Sequence, residues 1–328
     1  MKIEIYRQIA RTLVNEIESG IYPVGADMPS RLELSRRFGV TRATVNRAME
    51  QLELNGLISA RRGAGTVVVN SGMRRRIALV APEWLIQQLP GSDACRVLPV
   101  GYAEALGSRS SIAALARFDG ILWSHPEDSL IPRIAEIMES IPGALINRVA
   151  DGCNYVTSEL KESFEQAVRS RLEQAPGATA YLLKNRDGSK FVHHSRDEGF
   201  VAACRTLRRF YEVIEMPADF ADKRRKLDAV LPAVPAGPLY IFADDWSETG
   251  ALIQWVWQHK LQWRRDVFYL DTDNIIHRHV WGLETASIIQ DFYGMTQTAL
   301  ELLLKSLRNP GGKPFQVLVK PVLRQGDT

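Results

Sequence analysis

The side chains best suited to specific recognition lie close together near residue 45 of this 328-residue chain. Arg42, Thr44, Asn46 and Arg47 are polar and fall within six consecutive residues. An arginine guanidinium offers two parallel donors to guanine, an asparagine amide pairs with adenine, and threonine hydroxyls mostly anchor phosphates. Presented on one face of a helix, these residue types would do the chemistry of reading DNA.

Two short helices are predicted to position these side chains. Ser30 and Glu33 have the spacing of a capping box, which begins the first helix. Gly39-Val40 makes a tight turn, and the Thr41 hydroxyl can cap the second helix. Apolar residues of the second helix recur at i, i+3, i+4 and i+7, so this face packs inward and the polar residues face outward: Val45, Ala48, Met49 and Leu52.

A hairpin is predicted to follow the second helix. Gly56 supplies the left-handed residue that ends the helix. Residues 57–61 and 66–69 have the composition of two strands, and residues 62–65 form the tip between them. Helix, turn, helix and hairpin in this order predict a winged helix-turn-helix, whose second helix enters the major groove.

Residues 3–69 resemble the DNA-binding head of the GntR family of bacterial regulators. The family signature appears as PSRLEL at 29–34, GVTRATV at 39–45, GLI at 56–58 and RRGAGTVV at 61–68. The resemblance implies DNA contacts from the second helix and from the hairpin tip, which would reach the minor groove. The residues concerned are Thr41, Arg42, Thr44, Asn46, Arg47, Arg62, Gly63 and Gly65.

One position departs from that signature. The family usually has an arginine where this chain has Leu32, and the arginine here comes one residue earlier, at Arg31. A shift of one residue turns a side chain by about 100° around a helix. Arg31 is nevertheless a candidate for the DNA contact.

Charge is distributed unevenly along the chain, whose formal net charge is only +3. Residues 1–76 hold 13 Lys and Arg against 7 Asp and Glu, whereas the remainder holds 28 against 31. A basic head on a slightly acidic larger domain suits DNA at one end and a small molecule at the other. The sequence has no bilayer-length apolar run, no signal-peptide core and no paired cysteine spacing, so a cytoplasmic protein with reduced thiols is expected.

Beyond residue 76 the pattern changes to alternating strands and helices. A helix is predicted at 159–173, residues 90–99 look irregular, and the stretch between Ile77 and Phe118 is short by about one helix. Strands separated by helices predict parallel sheets with crossover helices. The predicted strands are 77–81, 120–124, 144–147, 180–183, 239–243 and 267–270, with a further one beginning at Val156.

Residues 77–325 resemble the sugar-sensing domain of the LacI family, which is similar to periplasmic binding proteins. The motifs that carry the resemblance are FDGIL at 118–122, IPGALINR at 141–148, RDEGF at 196–200, FADD at 242–245, YLD at 269–271 and QDF at 290–292. The combination with a GntR-type head is similar to that of the arabinose-repressor subfamily. The resemblance implies an α/β domain of two lobes. The expected divisions are a head at 1–70, a linker at 71–76, and an effector and dimerisation domain at 77–328, with lobe 1 at 77–175 and 291–312 and lobe 2 at 176–290 and 313–328.

The same resemblance implies a set of effector-binding residues. Arg196 would bind sugar hydroxyls, Asp244 and Asp271 would accept hydrogen bonds from them, and Phe292 would stack on a ring face. Glu159 lies near the position of a family aspartate. The alternatives are that Arg196 pairs with Asp197 or Glu198 and that Asp244-Asp245 caps the next helix. Trp246 could add to an aromatic pocket, with core packing as the alternative for the tryptophans considered: Trp84, Trp123, Trp246 and Trp281.

The sequence contains no recognised catalytic motif, so we expect neither an enzyme nor a cofactor. His193-His194 and His277 to His279 have no nearby cysteine, and no metal site is expected there. The leading hypothesis is a sequence-specific regulator, a repressor, that binds operator DNA as a homodimer and responds to a small polar effector, a sugar above all. The alternative is a DNA-binding regulator whose LacI-like domain has lost its ligand and serves only dimerisation.

Overall fold

The computed structural model describes residues 5–61, 65–70, 75–86, 89–92, 94–185, 190–232, 236–275, 279–280 and 282–328. The chain divides into two compact units. One comprises Met1–Arg75 with Asp93–Arg96, and the other comprises Arg76–Ser92 with Val97–Thr328. Most of the expected linker, residues 71–74, lies outside the described residues.

The first unit, the head, contains three helices and a hairpin. The helices are α1 (Ile5–Glu18), α2 (Arg31–Phe38) and α3 (Arg42–Leu54), and the strands are β1 (Ile58–Arg61) and β2 (Gly65–Val68). The predicted apolar stripe of α3 is buried against α1 residues such as Leu13 and Ile17. This packing fixes which face of α3 remains outside.

The predicted helix ends of the head are confirmed. The Ser30 hydroxyl accepts a hydrogen bond from the Glu33 amide at 3.3 Å, and the Ser30 amide donates to the Glu33 carboxylate at 2.7 Å. The Thr41 hydroxyl accepts from the Thr44 amide at 3.4 Å at the start of α3. Gly56 follows α3 with a left-handed φ of 68°, a conformation that glycine adopts without a Cβ clash.

The hairpin of the head forms where its two strands were predicted. Its register places Ile58 opposite Val68 and Arg61 opposite Gly65. A third segment, which the sequence analysis did not predict, extends this sheet. The Met28 amide donates to the Thr66 carbonyl at 2.7 Å, and the Val68 amide donates to the Ala26 carbonyl at 2.9 Å. The hairpin is therefore attached to the chain that precedes α2. Its tip, with the predicted Arg62 and Gly63, lies outside the described residues.

The second unit alternates strands and helices, as predicted. Its helices are α4 (Tyr102–Leu106), α5 (Arg109–Ala114), α6 (Ile131–Ser140), α7 (Leu160–Leu172), α8 (Lys190–Thr206), α9 (Phe220–Val230), α10 (Thr249–Gln258) and α11 (Phe292–Arg308). Its strands are β3 (Arg75–Val80), β4 (Cys95–Val100), β5 (Gly120–Ser124), β6 (Gly143–Ile146), β7 (Tyr155–Ser158), β8 (Ala180–Asn185), β9 (Tyr211–Met216), β10 (Leu239–Ala243), β11 (Val267–Thr272), β12 (His279–Val280), β13 (Leu283–Glu284), β14 (Ser287–Ile289), β15 (Gln316–Val319) and β16 (Val322–Arg324).

Two six-stranded sheets define two lobes. The sheet of lobe 1 has the order β15-β7-β6-β5-β3-β4, and the sheet of lobe 2 has the order β16-β14-β11-β10-β8-β9. The central pairs of both sheets are parallel, as the strand-helix alternation predicted, and β16 alone among the described pairs of lobe 2 runs antiparallel, against β14. Buried aliphatic residues fill both sheets, for example Leu122 and Ile241. Among the described residues, none of the helices is long and apolar enough to cross a membrane.

The lobe boundaries differ from the expected ones. Helix α7 was expected in lobe 1, but its Phe164 and Val168 pack with Leu182 and Phe200 of lobe 2. The chain therefore passes from lobe 1 to lobe 2 near Glu159, not near 175. Strand β15 pairs with β7 in lobe 1, so the return to lobe 2 comes after Val319 and not at 313.

The stretch between β3 and β5 is also more regular than predicted. Residues 90–99 were expected to be irregular, but β4 begins at Cys95 and forms the outer strand of the lobe 1 sheet. Pro99 cannot donate a backbone hydrogen bond, which an edge strand tolerates. Two short helices, α4 and α5, lie in the stretch that was predicted to be short by about one helix.

Candidate DNA-binding face and effector cleft

The predicted recognition residues lie on the outer face of α3. Arg42, Asn46 and Arg47 are exposed in its first two turns. The Thr41 and Thr44 hydroxyls lie 3.0 Å apart beside the helix N-terminus, where backbone amides also point outward. Gly65 begins β2 with a φ of 87°. This face presents donors, acceptors and a helix N-terminus together, which is the set of groups needed to contact phosphates and base edges.

Arg31 has a partner that the sequence analysis did not predict. Its Nη1 donates to the Thr66 hydroxyl of β2 at 3.2 Å, although most of the side chain is exposed. Arg31 thus connects the first residue of α2 to the hairpin. This contact could not be read from the sequence, because 35 residues separate the two side chains.

Arg196 is the best-defined of the predicted effector residues. It lies in α8 with 3% of its side chain exposed, and its Nη2 donates to Asp273 Oδ2 at 2.6 Å. Its Nη1 donates to the backbone carbonyl of Asp244. The alternative pairing of Arg196 with its neighbours is wrong, because Asp197 pairs with Lys184 and Glu198 with Lys161.

Asp244 is placed beside Arg196 at the end of β10. Its carboxylate accepts a hydrogen bond from the Asn185 amide at 2.8 Å and is completely buried. The capping role considered for the two adjacent carboxylates belongs to Asp245, whose side chain accepts from the Ser247 amide at 2.8 Å. The two neighbours therefore have different surroundings and different roles.

Asp271 lies at the end of β11 in a separate buried network. Its Oδ2 accepts from the Thr249 hydroxyl and from the Asn274 amide group, each at 2.6 Å. Burial raises the pKa of this carboxyl from 3.8 to about 6, against the lowering effect of the neighbouring Ser287, Thr249, Asn274 and Thr285 side chains.

Two further residues belong with Arg196, and neither was predicted from the sequence as part of the site. Asp273 Oδ1 accepts from the Gln290 amide at 3.0 Å, and Oδ2 accepts from the Gln290 side chain at 2.7 Å. Gln290 follows β14, where the chain crosses from lobe 2 to α11 in lobe 1. The QDF motif could have indicated Gln290, but none of the LacI-like motifs contains Asp273. We call Arg196, Asp244, Asp273 and Gln290 the cleft network.

Lobe 1 contributes aromatic side chains at the start of α11 and at the ends of β3 and β5. Phe292 contacts the His125 ring edge-on at a centroid distance of 4.7 Å. The Trp84 ring lies 5.9 Å from the Phe292 ring and 5.4 Å from the His125 ring, between centroids. Burial lowers the pKa of His125 to about 3, so this imidazole is neutral at physiological pH. Trp84 is 58% exposed and Trp246 is 39% exposed, whereas Trp123 is buried in the core. Trp281 lies outside the described residues.

Arg148, which the sequence analysis did not select, follows β6 in lobe 1. Its Nε donates to Asp128 at 3.1 Å and its Nη1 to the Asn147 carbonyl at 2.6 Å. Burial lowers the pKa of Arg148, Asp128 raises it in part, and the positive charge of Arg196 is near enough to lower it further. The two arginines belong to different lobes, and the charge of Arg196 still acts on Arg148. Glu159 instead lies near Ser163 and Lys320.

Six buried polar atoms near the ends of these strands have no hydrogen-bond partner among the described residues. Most buried polar groups in proteins have a partner, so these atoms are available to a bound molecule or to water. The acceptors outnumber the donors, and both lobes contribute. The atoms are His125 Nε2, Asn147 Oδ1, Arg196 Nε, Asp271 Oδ1, Asn274 Oδ1 and Gln290 Oε1.

Comparison with known families agrees with the fold of the head. Residues 5–68 match the model of bacterial regulatory proteins of the gntR family. The head is a GntR-type domain. The Uxu operon regulator of Haemophilus influenzae is 38% identical over 66 residues, which are 20% of this chain and 25% of that protein. Matched segments span from 14% to 56% of the length of the first curated relatives, so the similarity is mainly one of heads.

Solved structures extend the comparison to the second unit. A LacI-family transcriptional regulator from Enterococcus faecium with bound ribose has a TM-score of 0.60 and 14% identity, over 77% of this chain and 98% of that one. The transcriptional regulator CelR in complex with cellobiose has a TM-score of 0.60 and 15% identity, over 92% of this chain and 99% of that one. At this identity the comparison shows a common fold, so the predicted LacI-like architecture of two α/β lobes is confirmed.

Proposed function

We propose that this protein is a sequence-specific DNA-binding transcriptional regulator whose activity depends on a small polyhydroxylated effector. The observation that carries the DNA-binding part is the outer face of α3 within a GntR-type head. Arg42, Asn46 and Arg47 are exposed there, while the opposite face of the same helix is buried in the head core. The roles of Arg42 and Asn46 are base contacts, and those of Thr41 and Thr44 are phosphate contacts.

The unpartnered polar atoms support an effector site in the cleft. Asn147 Oδ1, Asp271 Oδ1, Asn274 Oδ1 and Gln290 Oε1 are acceptors without a donor among the described residues. Sugar hydroxyls both donate and accept hydrogen bonds, so a polyol can satisfy these acceptors and Arg196 Nε together. Phe292, whose ring contacts His125, is the aromatic side chain proposed to cover the apolar face of a sugar ring. The structural relatives with ribose and cellobiose bound make sugars the first compounds to test.

The regulator is proposed to act as a homodimer and a repressor. A dimer reads two half-sites about 34–36 Å apart, or a multiple of this distance, so a small change in the spacing of two heads misaligns them. Effector binding that closes the lobes would change that spacing. Couplings of this kind are typically about 1–3 kcal/mol.

The DNA-binding part is tested by selecting bound sequences from a random double-stranded library and titrating the selected site by fluorescence anisotropy. We expect Arg42→Ala to weaken specific binding by about 1–3 kcal/mol. Arg11→Ala removes an exposed arginine of α1 and serves as the matched control, which should bind as the wild type does. Failure to enrich any sequence, or equal affinity of all three proteins, would contradict the proposal.

The effector part is tested by thermal-shift measurements against mono- and disaccharides. A ligand at 100 times its Kd adds about 2.7 kcal/mol to the free energy of unfolding, which raises Tm measurably. Arg196→Ala should abolish the shift, whereas Arg225→Ala, at an exposed position of α9, should retain it. If no sugar shifts Tm, the effector proposal fails and the dimerisation-only alternative is favoured.

A further inference from the structure

Two buried arginines, Arg148 in lobe 1 and Arg196 in lobe 2, are already paired with a carboxylate of their own lobe. The Arg196 and Asp273 side chains are 3% and 15% exposed and form an ion pair at 2.6 Å. The Arg148 and Asp128 side chains are 8% and 30% exposed and form one at 3.1 Å. An arginine cannot lose its proton at physiological pH, so its charge in a buried site must be balanced by a carboxylate or by a ligand. Here the protein itself supplies the balance.

Asp273 is held firmly in the position that balances Arg196. Its two oxygens accept from the Gln290 amide and side chain at 3.0 and 2.7 Å, and its own amide donates to the Ile288 carbonyl at 2.8 Å. Its φ of 58° lies in the left-handed region, which is uncommon for a residue other than glycine. The surrounding structure therefore maintains a backbone conformation that directs this carboxylate to Arg196.

Among the described residues, the other charged groups near the cleft network leave no cation unbalanced. Lys184, whose charge acts on Asp244, already forms an ion pair with Asp197. His125 is neutral at physiological pH because burial lowers its pKa to about 3. Asp244 and Asp271 add carboxylates in lobe 2. An anionic ligand that enters this cleft would find both arginines already paired with carboxylates. Burying its charge without a cation to balance it costs free energy of binding.

We propose that Asp273 is a specificity-determining residue that makes the cleft select uncharged polyols and reject phosphorylated or carboxylated sugars. The inference rests on the effector function proposed above. Asp128 does the same for Arg148 from the other lobe. Selectivity of this kind arises because desolvation weakens the binding of an anionic sugar, and not because the uncharged polyol makes additional contacts.

The first test needs no identified effector. Asp273→Asn keeps the shape of the side chain and its carbonyl acceptor but removes the ion-pair partner of Arg196. Inorganic phosphate, titrated at constant ionic strength, should then raise Tm by about 2–4 °C more in the variant than in the wild type once it is in about tenfold excess over its Kd. Asp222→Asn is the matched control, because it frees Arg225, which is 76% exposed on α9, and it should respond as the wild type does.

Asp128→Asn provides a second variant that leaves lobe 2 unchanged. It frees Arg148 and should gain a phosphate response of its own, so the proposal stays testable if Asp273→Asn fails to fold. If neither charge-removing variant responds to phosphate more strongly than the wild type and Asp222→Asn, the proposal is wrong.

The second test uses matched neutral and anionic sugars, such as glucose with glucuronate and glucose 6-phosphate. The wild type should respond to neutral members of such pairs, and Asp273→Asn should shift the ratio of affinities at least tenfold toward the anionic members. A wild type that binds the anionic members more tightly would overturn the proposal. A phosphate response in Asp273→Asn with no sugar response in the wild type would contradict the effector function but support the charge-balancing role of Asp273.

Discussion

At the scale of single residues, burial of Asp271 has a consequence for stability. Its pKa is about 6 in the folded protein against an ordinary 3.8, so folding disfavours its ionised form. As pH rises, this carboxyl loses its proton at a lower pH in the unfolded chain than in the folded protein, and the ionised form favours the unfolded chain. The free energy of unfolding therefore falls between about pH 4 and pH 6, by about 3 kcal/mol in total. Acidification through the same range restores this stability.

Asp271→Asn should therefore make the protein less sensitive to pH. We expect Tm to fall less between pH 5 and pH 8 in this variant than in the wild type, because the amide cannot ionise while it can still accept from Thr249. Thermal denaturation at the two pH values measures the difference. Asp222→Asn removes an exposed carboxyl and should keep the wild-type slope, and an unchanged slope in Asp271→Asn would show that Asp271 does not cause the effect.

The residue scale is also where the sequence was least informative. Arg196 and Asp244 were predicted from motifs, and the structure brings them together. Asp273 was not predicted, because its role depends on a left-handed backbone and on two partners that lie 17 and 77 residues away. A resemblance transfers the residues that relatives share, and it cannot indicate a residue that acts only in the packing of this chain.

At the scale of elements, the hydrogen bond between Arg31 and Thr66 connects α2 to the hairpin. We expect Arg31→Ala and Thr66→Val to weaken operator binding by a similar amount, about 0.5–1.5 kcal/mol, because each removes the same bond. The double variant should bind operator as tightly as either single variant, since the effects of substitutions at two residues in contact are not additive. Anisotropy titrations of the four proteins measure this cycle. Fully additive losses would mean that Arg31 acts on DNA independently of Thr66.

Close packing of α7 on α8 gives a second prediction for the elements. A Cβ at Gly199 would lie 2.4 Å from the Lys161 carbonyl oxygen and 3.0 Å from the Glu165 amide nitrogen, so both contacts are with backbone that cannot simply rotate away. Gly199→Ala should lower the free energy of unfolding by about 1–3 kcal/mol. Gly250→Ala is the matched control, because its nearest neighbour is a Phe220 side-chain atom at 3.4 Å. A Tm of Gly199→Ala equal to that of the control would contradict this account.

The same helix pair explains which elements could be predicted. Residues 159–173 were correctly predicted as a helix, because apolar periodicity is local. Their assignment to lobe 1 was wrong, because periodicity shows that a helix has a buried face but not which sheet covers it. Strand β4 was missed for a related reason: at the edge of a sheet it can contain Pro99 and exposed residues that disguise the pattern of a buried strand.

At the scale of the whole molecule, the proposed function requires that the effector and DNA influence each other. Thermodynamic linkage makes this influence reciprocal: the factor by which an effector changes operator affinity must equal the factor by which operator changes effector affinity. Couplings of about 1–3 kcal/mol correspond to factors of about 5 to 150. Gln290 and Phe292 border the crossover between the lobes, so contacts of the proposed ligand there would favour one lobe arrangement over another.

We expect these two factors to agree when the sugar identified by thermal shift is titrated with and without saturating operator. Calorimetry measures the effector Kd in both states, and anisotropy measures the operator Kd with and without the sugar. Arg42→Ala, tested at operator concentrations below its weakened Kd, should bind the sugar with the affinity of the DNA-free wild type, because the linkage acts only through bound DNA. If the sugar binds in the cleft but both factors equal one, the second unit binds a ligand without regulating the head, and the proposal that it is an effector domain is wrong.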